Sequence, residues 1–137
     1  MDKTARTVTI TATRHLKANP DRVYRAFTDP ADVKRWFQPI RLIMNAEVDG
    51  LWNSDQEFEG KRWPHYGRFV KLERAKLVEE TWMSEATHGL ESVVRVELSA
   101  RDGGTDVRLT HSGLPEDQAE NHRQGWTEIL KALDDLR

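Results

Sequence analysis

Near the start of the chain Val8, Ile10 and Ala12 alternate with Thr7, Thr9, Thr11 and Thr13. This is the period-two pattern of a strand with one covered face, and it predicts a strand from Thr7 to Leu16. Asn19-Pro20-Asp21 then supplies a capping side chain, a first-turn proline and an acid behind it, so the stripe Val23, Ala26, Phe27 predicts a short helix. Asp29-Pro30 repeats the start signal, which makes the next helix separate and ends it near Trp36-Phe37, before Pro39. From Ile40 alternation returns, with Leu42, Met44, Ala46 and Val48 on one parity and Asp49-Gly50 as a hairpin turn. The following strand carries Trp52, Ser54, Gln56 and Phe58 on one face, and Gly60 marks its end. A strand from His65 to Leu72 contains Tyr66, Phe69, Val70 and Leu72, and Pro64 limits its extension backwards.

Leu77 to Ser84 forms the next strand, with Val78, Glu80 and Trp82 on one face. The most regular hairpin follows: Val94, Val96, Leu98 and Ala100 face one way, the turn is Arg101-Asp102-Gly103-Gly104, and Val107, Leu109 and His111 continue the alternation. From Pro115 to Arg137 the period changes to that of a helix. Pro115 suits a first helical position, Glu116 and Asp117 complement the positive end of the helix dipole, and His122, Trp126, Ile129, Leu130, Leu133 and Leu136 form one stripe. Gly125 in mid-helix reads either as a point of close packing or as a tolerated surface glycine. A strand, two short helices, about six more strands and one long helix make an α+β pattern, with an antiparallel sheet of about seven strands curved over the final helix.

Composition sharpens this picture. A chain of 137 residues is read as one domain, 1–137, and with a hydrophobic fraction of 37% its core depends on large side chains, the five tryptophans above all. A net charge of -2 and a pI near 6.2 do not favour nucleic acid or anionic membranes as partners. The absence of cysteine removes disulfides and thiolate chemistry. Without a secretory-type apolar stretch at the N-terminus or a membrane-length apolar run, the expectation is a cytoplasmic protein.

The segments VYRAFTDPADVKRWF from Val23, THSGLP at 110–115 and HRQGW at 122–126 resemble the family of homologues of the activator of the heat-shock protein 90 ATPase, within the START-like (SRPBCC) superfamily. The resemblance covers nearly the whole chain and includes Trp82 near the end of the fifth strand. It implies a helix-grip architecture, in which the sheet curls around the C-terminal helix and encloses a cavity opening near the short helices. Two departures are local: Leu51 follows Asp49-Gly50 where a second glycine is common, and Glu79-Glu80 makes the Trp82 strand unusually acidic.

The chemistry is sparse. The five histidines show no metal-ligand spacing, and neither a nucleophile elbow nor a phosphate loop is present, so no metal, cofactor or covalent catalysis is expected. His111 by parity and His122 by helix stripe could enter one cavity, to orient a ligand or move a proton, or could be satisfied structural histidines. Glu80 is either an inward carboxylate or a solvated edge, and Trp63 reads as a rim loop residue. Trp36, Phe37, Trp52, Phe58, Tyr66, Phe69, Trp82 and Trp126, with Ile129 and Leu130, are the candidates for a pocket lining, against the plain alternative of core packing. The leading expectation is binding of a small hydrophobic or amphipathic molecule between sheet and helix. A cyclase/aromatase-like enzyme and a chaperone-interacting protein are the alternatives, and a homodimer stays open.

Overall fold

The computed structural model describes residues 6–136, so the expected helix end at Arg137 and the first five residues of the domain lie outside them. The chain runs β1 (Thr7–Leu16), α1 (Pro20–Thr28), α2 (Pro30–Phe37), β2 (Arg41–Met44), β3 (Leu51–Phe58), β4 (Lys61–Glu73), β5 (Leu77–Ser84), β6 (Ser92–Arg101), β7 (Gly104–Pro115) and α3 (Ala119–Ala132). The seven strands form one antiparallel sheet in the order β1-β7-β6-β5-β4-β3-β2. From β2 to β7 consecutive strands pair, while β1 pairs with β7 and so lies at the opposite edge from β2.

The two short helices begin as their sequences dictate. Asn19 and Asp29 each accept a hydrogen bond from a first-turn amide, Arg22 N and Ala31 N, and a proline opens each helix. The Arg22 guanidinium holds Asp32 through two bonds of 3.1 and 3.0 Å, and the Trp36 indole donates to the Ala26 carbonyl, which fixes α2 against α1. Irregularities in strand pairing between Val8 and Ile10 and between Phe69 and Lys71 bend the sheet, so that its concave face wraps α3. Ile10, Val78, Val94, Val96, Leu109, Leu130 and Leu133 fill the core between them. Among the described residues no helix is long and apolar enough to cross a membrane.

Four local expectations are corrected. Pro115 ends β7, opposite Thr7, rather than opening the helix, because ladder pairing with β1 continues through Leu114 and Pro115. Helical structure starts at Glu116 with one 3-10 turn and closes with another at Leu133–Asp135, so it spans about 20 residues. β2 is shorter than its alternation suggests: 45–50 folds into a compact turn in which Glu47 N donates to Asn45 O and Gly50 N to Glu47 O, leaving Val48 exposed. β4 runs back through Pro64 to Lys61. At Pro64 the strand has a pairing partner on one side only, Asp55 of β3, since pairing with β5 begins at His65–Ser84, and an edge position tolerates the missing N–H. Trp63 therefore stands in a strand, not a loop.

Candidate functional site

Strand parity brings Trp82 of β5 onto the concave face, and the rings around it come from five different elements. Its centroid lies 6.4 Å from Phe37 (α2), 5.2 Å from Trp52 (β3), 5.0 Å from His65 (β4), 5.7 Å from His111 (β7) and 5.0 Å from Trp126 (α3). Trp52 reaches this position because its cross-strand neighbour is Gly67. A Cβ at 67 would stand 2.6 Å from the Trp52 Nε1 and 2.0 Å from the Thr81 carbonyl oxygen, so the indole lies where only glycine leaves room.

Two spaces adjoin this aromatic wall. An outer groove of about 630 Å³ runs between α3, the end of α2 and the first halves of β4 and the second half of β3; it is bordered by Gln56, Phe58, Trp63, His65, Ala86, Gln118, Asn121, His122, Gly125 and Ile129. An inner cavity of about 50 Å³ lies beneath α2 and is bordered by Phe27, Val33, Leu42, Met44, Trp52, Ser54, Phe69, Glu80 and Val94. Trp36, Phe37, Trp82 and Trp126 line both.

The polar groups divide into a closed set and an open set. His111 is fully buried: the Trp126 Nε1–H donates to its Nδ1 at 2.9 Å, and its Nε2 meets the Ser92 Oγ at 2.7 Å. Because the Ser92 hydroxyl donates to the Trp82 carbonyl, His111 must carry its proton on Nε2, and the relay Trp126–His111–Ser92–Trp82 is complete. Burial first, and the neighbouring His122 second, push His111 down to about 3, so the ring stays neutral. His122 gives its Nδ1–H to the Gln118 carbonyl at 2.8 Å, which leaves Nε2 as an acceptor on the groove side, with its pKa lowered by burial.

By contrast, Trp52 Nε1, Trp63 Nε1, Trp82 Nε1 and His65 Nδ1 are buried without a hydrogen-bond partner among the described residues. Burial lowers the pKa of His65; the backbones of Ser54 and Trp63 partly counter this, although neither meets Nδ1 in hydrogen-bond geometry. An unsatisfied buried polar group costs about 1–3 kcal/mol, so four beside two adjacent spaces are what a binding site would show. Glu80 also faces the inner cavity, between Phe69 and Val94 on the neighbouring strands, and burial pushes its carboxyl up to about 8. Its side chain keeps partial solvent contact through the cavity. Among the described residues no cluster of acidic and histidine side chains could hold a metal.

Of the residues expected from sequence, Trp36, Phe37, Trp82 and Trp126 line both spaces, Trp52 and Phe69 the inner one, and Phe58, His122 and Ile129 the outer one. Leu130 is packed in the core at 1% exposure, and His111 stands behind Trp82 and Trp126 in the closed relay. Tyr66 is on the other face of the sheet, 48% exposed, because it shares a parity with Arg68 while Trp63, His65 and Phe69 point inward. Gly125 is a surface glycine of the groove wall: a Cβ there meets nothing within 4 Å. His65 is not among the candidates from sequence, Trp63 is expected on the rim but in a loop, and of the two readings of Glu80 the inward carboxylate is the one found. Carrying the parity of Phe69 back through Pro64 finds His65 and the strand position of Trp63.

Solved structures repeat this architecture. The chain is similar to Mll3558 from Rhizobium loti at 24% identity and a TM-score of 0.84, over 94% of this chain and 96% of that one. It is similar to CV1439 from Chromobacterium violaceum at 27% identity and a TM-score of 0.78, with 93% and 95% covered. The solution structure of the Aha1 dimer from Colwellia psychrerythraea matches at 25% identity and a TM-score of 0.74, with 93% and 94% covered. No curated protein matches the chain. The family described as activator of Hsp90 ATPase homolog 1-like protein matches residues 17–136, and the chain belongs to that family.

Proposed function

We propose that the chain binds a small hydrophobic or amphipathic molecule at the aromatic wall between the curved sheet, α2 and α3. The observation that carries this reading is the set of four rings, Trp36, Phe37, Trp82 and Trp126, shared by an outer groove and an inner cavity. Concave, aromatic-lined sites with a few convergent polar atoms are the usual form of small-molecule sites. The unpartnered Nε1 atoms of Trp63 and Trp82 and Nδ1 of His65 offer such atoms. Glu80 is the one titratable side chain bordering the inner cavity, which supports binding over acid–base chemistry that needs two groups. Titrating octan-1-ol into the protein and following tryptophan fluorescence tests the reading. A saturable change is expected, and Gly125→Leu, which adds a side chain to the groove wall at a position where a Cβ meets nothing within 4 Å, is expected to abolish it while the fold is kept. A change that never saturates, or one that Gly125→Leu leaves intact, would refute this placement.

A second reading concerns protein contacts. Ile43, Leu51 and Tyr66 are exposed together on the convex face of β2, β3 and β4, beside the sheet edge at β2, and a family relative was solved as a dimer. This supports self-association, for which light scattering on the eluting protein, with Leu51→Lys as the comparison, is the test. A monomer at all concentrations would reject it.

A further inference from the structure

Binding of a neutral apolar molecule leaves one group of the inner cavity unused, the Glu80 carboxyl. It stands in mid-strand, flanked by Phe69 and Val94, and among the described residues it has no hydrogen-bond or ion-pair partner. None of the other residues bordering the cavity ionises, and no charged group lies near enough to shift its proton affinity. A buried carboxylate in such surroundings is costly unless a cation is brought to it. The same cavity is walled by the indoles of Trp36, Trp52, Trp82 and Trp126, whose ring faces carry the negative lobe of the aromatic quadrupole and attract cations. A carboxyl group without a counter-charge inside an indole enclosure is the chemistry of an ammonium site.

Size sets which part of a ligand enters. About 50 Å³, a few times the ~10–15 Å³ that a cavity needs to hold one water, admits a small head group and not a whole molecule. The outer groove, across the shared rings, has room for the remainder. We propose that the inner cavity receives the protonated primary amine of an amphipathic molecule, with Glu80 as its counter-ion and the indole faces around it, while the apolar chain lies in the outer groove. This assignment rests on the ligand-binding reading above and names its ligand class.

The competing role for Glu80 is as a neutral acid donating a hydrogen bond to a carbonyl or hydroxyl. The two roles have opposite pH dependence. An ammonium needs the ionised carboxylate, so its binding releases a proton and strengthens by about tenfold per pH unit until the pH reaches about 8, the level to which burial raises the group. A hydrogen-bond acceptor needs the protonated acid, so it would bind evenly up to about pH 8 and more weakly above. His65 and His122 face the outer groove and would repel a cation when protonated, so they impose a slope of the same sign below neutrality.

The test compares n-octylamine with octan-1-ol by tryptophan fluorescence between pH 6 and 8.5, in the wild type and in Glu80→Gln. The expected result is an amine affinity about tenfold above that of the alcohol at pH 8, falling by about 50-fold at pH 6, with the alcohol nearly level. Glu80→Gln is expected to keep alcohol binding and lose both the amine preference and the slope above neutrality, where the two histidines are uncharged. Glu80→Met, of similar length and apolar, is the second variant with the same expected outcome. Alcohol binding without amine preference, amine binding that strengthens at low pH, or a slope above neutrality that survives in both variants would overturn the ammonium site and leave the binding reading standing. Absence of saturable alcohol and amine binding would overturn both.

Discussion

Replacing Glu80 by glutamine keeps the shape of the side chain and removes its charge, and the cost of that charge follows from its position. The carboxyl is flanked by Phe69 and Val94, with no hydrogen-bond partner among the described residues, and burial pushes it from an ordinary 4.5 to about 8. Between these values the unfolded chain has released a proton that the folded chain still holds, so raising the pH favours unfolding. The folded state is unpenalised below pH 4.5, and stability is lost progressively as the pH rises towards 8. At ~1.36 kcal/mol per pH unit the interval amounts to about 3–5 kcal/mol, the lower end allowing for the part of the side chain that solvent screens. His111 acts in the opposite sense. Its neutral ring, held down to about 3, gives stability that is present above pH 6.5 and lost as the pH falls towards 3. From these two groups alone the wild type should be nearly level between pH 4.5 and 6.5 and should weaken from 6.5 to 8. Urea unfolding at pH 5, 6, 7 and 8 gives the comparison, because subtracting wild type from Glu80→Gln cancels every other titrating group. The stability advantage of Glu80→Gln is expected to grow by about 3 kcal/mol between pH 5 and pH 8. A difference that stays constant across this range would refute the argument that Glu80 is held neutral by burial.

Three further substitutions examine the surrounding structure. Trp126→Phe keeps most of the ring volume but leaves the His111 Nδ1 without its donor, and a loss of about 1–3 kcal/mol in urea unfolding is expected. Gly67→Ala forces a Cβ to 2.0 Å from the Thr81 carbonyl oxygen and 2.6 Å from the Trp52 indole nitrogen, so the thermal midpoint is expected to fall by an amount equivalent to about 1–3 kcal/mol. Tyr66→Ala, on the convex face, is expected to change stability by no more than about 0.5 kcal/mol, as for a surface substitution, and to leave octan-1-ol affinity unchanged in the fluorescence titration.

Where local rules act alone, the chain is legible. The Asn19-Pro20 and Asp29-Pro30 signals mark both short helices, and uninterrupted alternation places β1, β6 and the inward face of β7. Legibility fails where a neighbour overrides the local rule. Pro115 carries a helix-start signal, yet pairing with Thr7 on β1 holds it in a strand, and nothing near it in sequence reveals that partner. Proline breaks a strand where a neighbouring strand needs the missing N–H, and at Pro64 there is a neighbour on one side only because pairing with β5 begins at His65. The irregular pairing between Phe69 and Lys71 explains why Phe69 and Leu72, three apart, both pack on the core while Tyr66 points away. Sequence parity therefore groups Tyr66 with residues it never meets.

The site follows the same division. The large aromatic residues that must be covered are visible in the sequence, and four of them form the wall common to both spaces. What each one does depends on hydrogen bonds that sequence does not display. His111 and His122 look equivalent as inward histidines, but one has both nitrogens engaged and the other keeps Nε2 for the groove. Glu80 obeys the inward parity of Val78 and Trp82 against the general preference of glutamate for solvent, and such a conflict between pattern and residue type marks a functional position more often than an error.

The five indole Nε1–H resonances in a ¹H–¹⁵N NMR spectrum, followed as octan-1-ol is added, test the central claim most directly. Saturable shifts at Trp36, Trp82 and Trp126, with the amides of Ile43, Leu51 and Tyr66 unmoved, are the expected result. Shifts concentrated at Ile43, Leu51 and Tyr66, or none that saturate at the shared aromatic wall, would contradict a binding site between the sheet and the C-terminal helix.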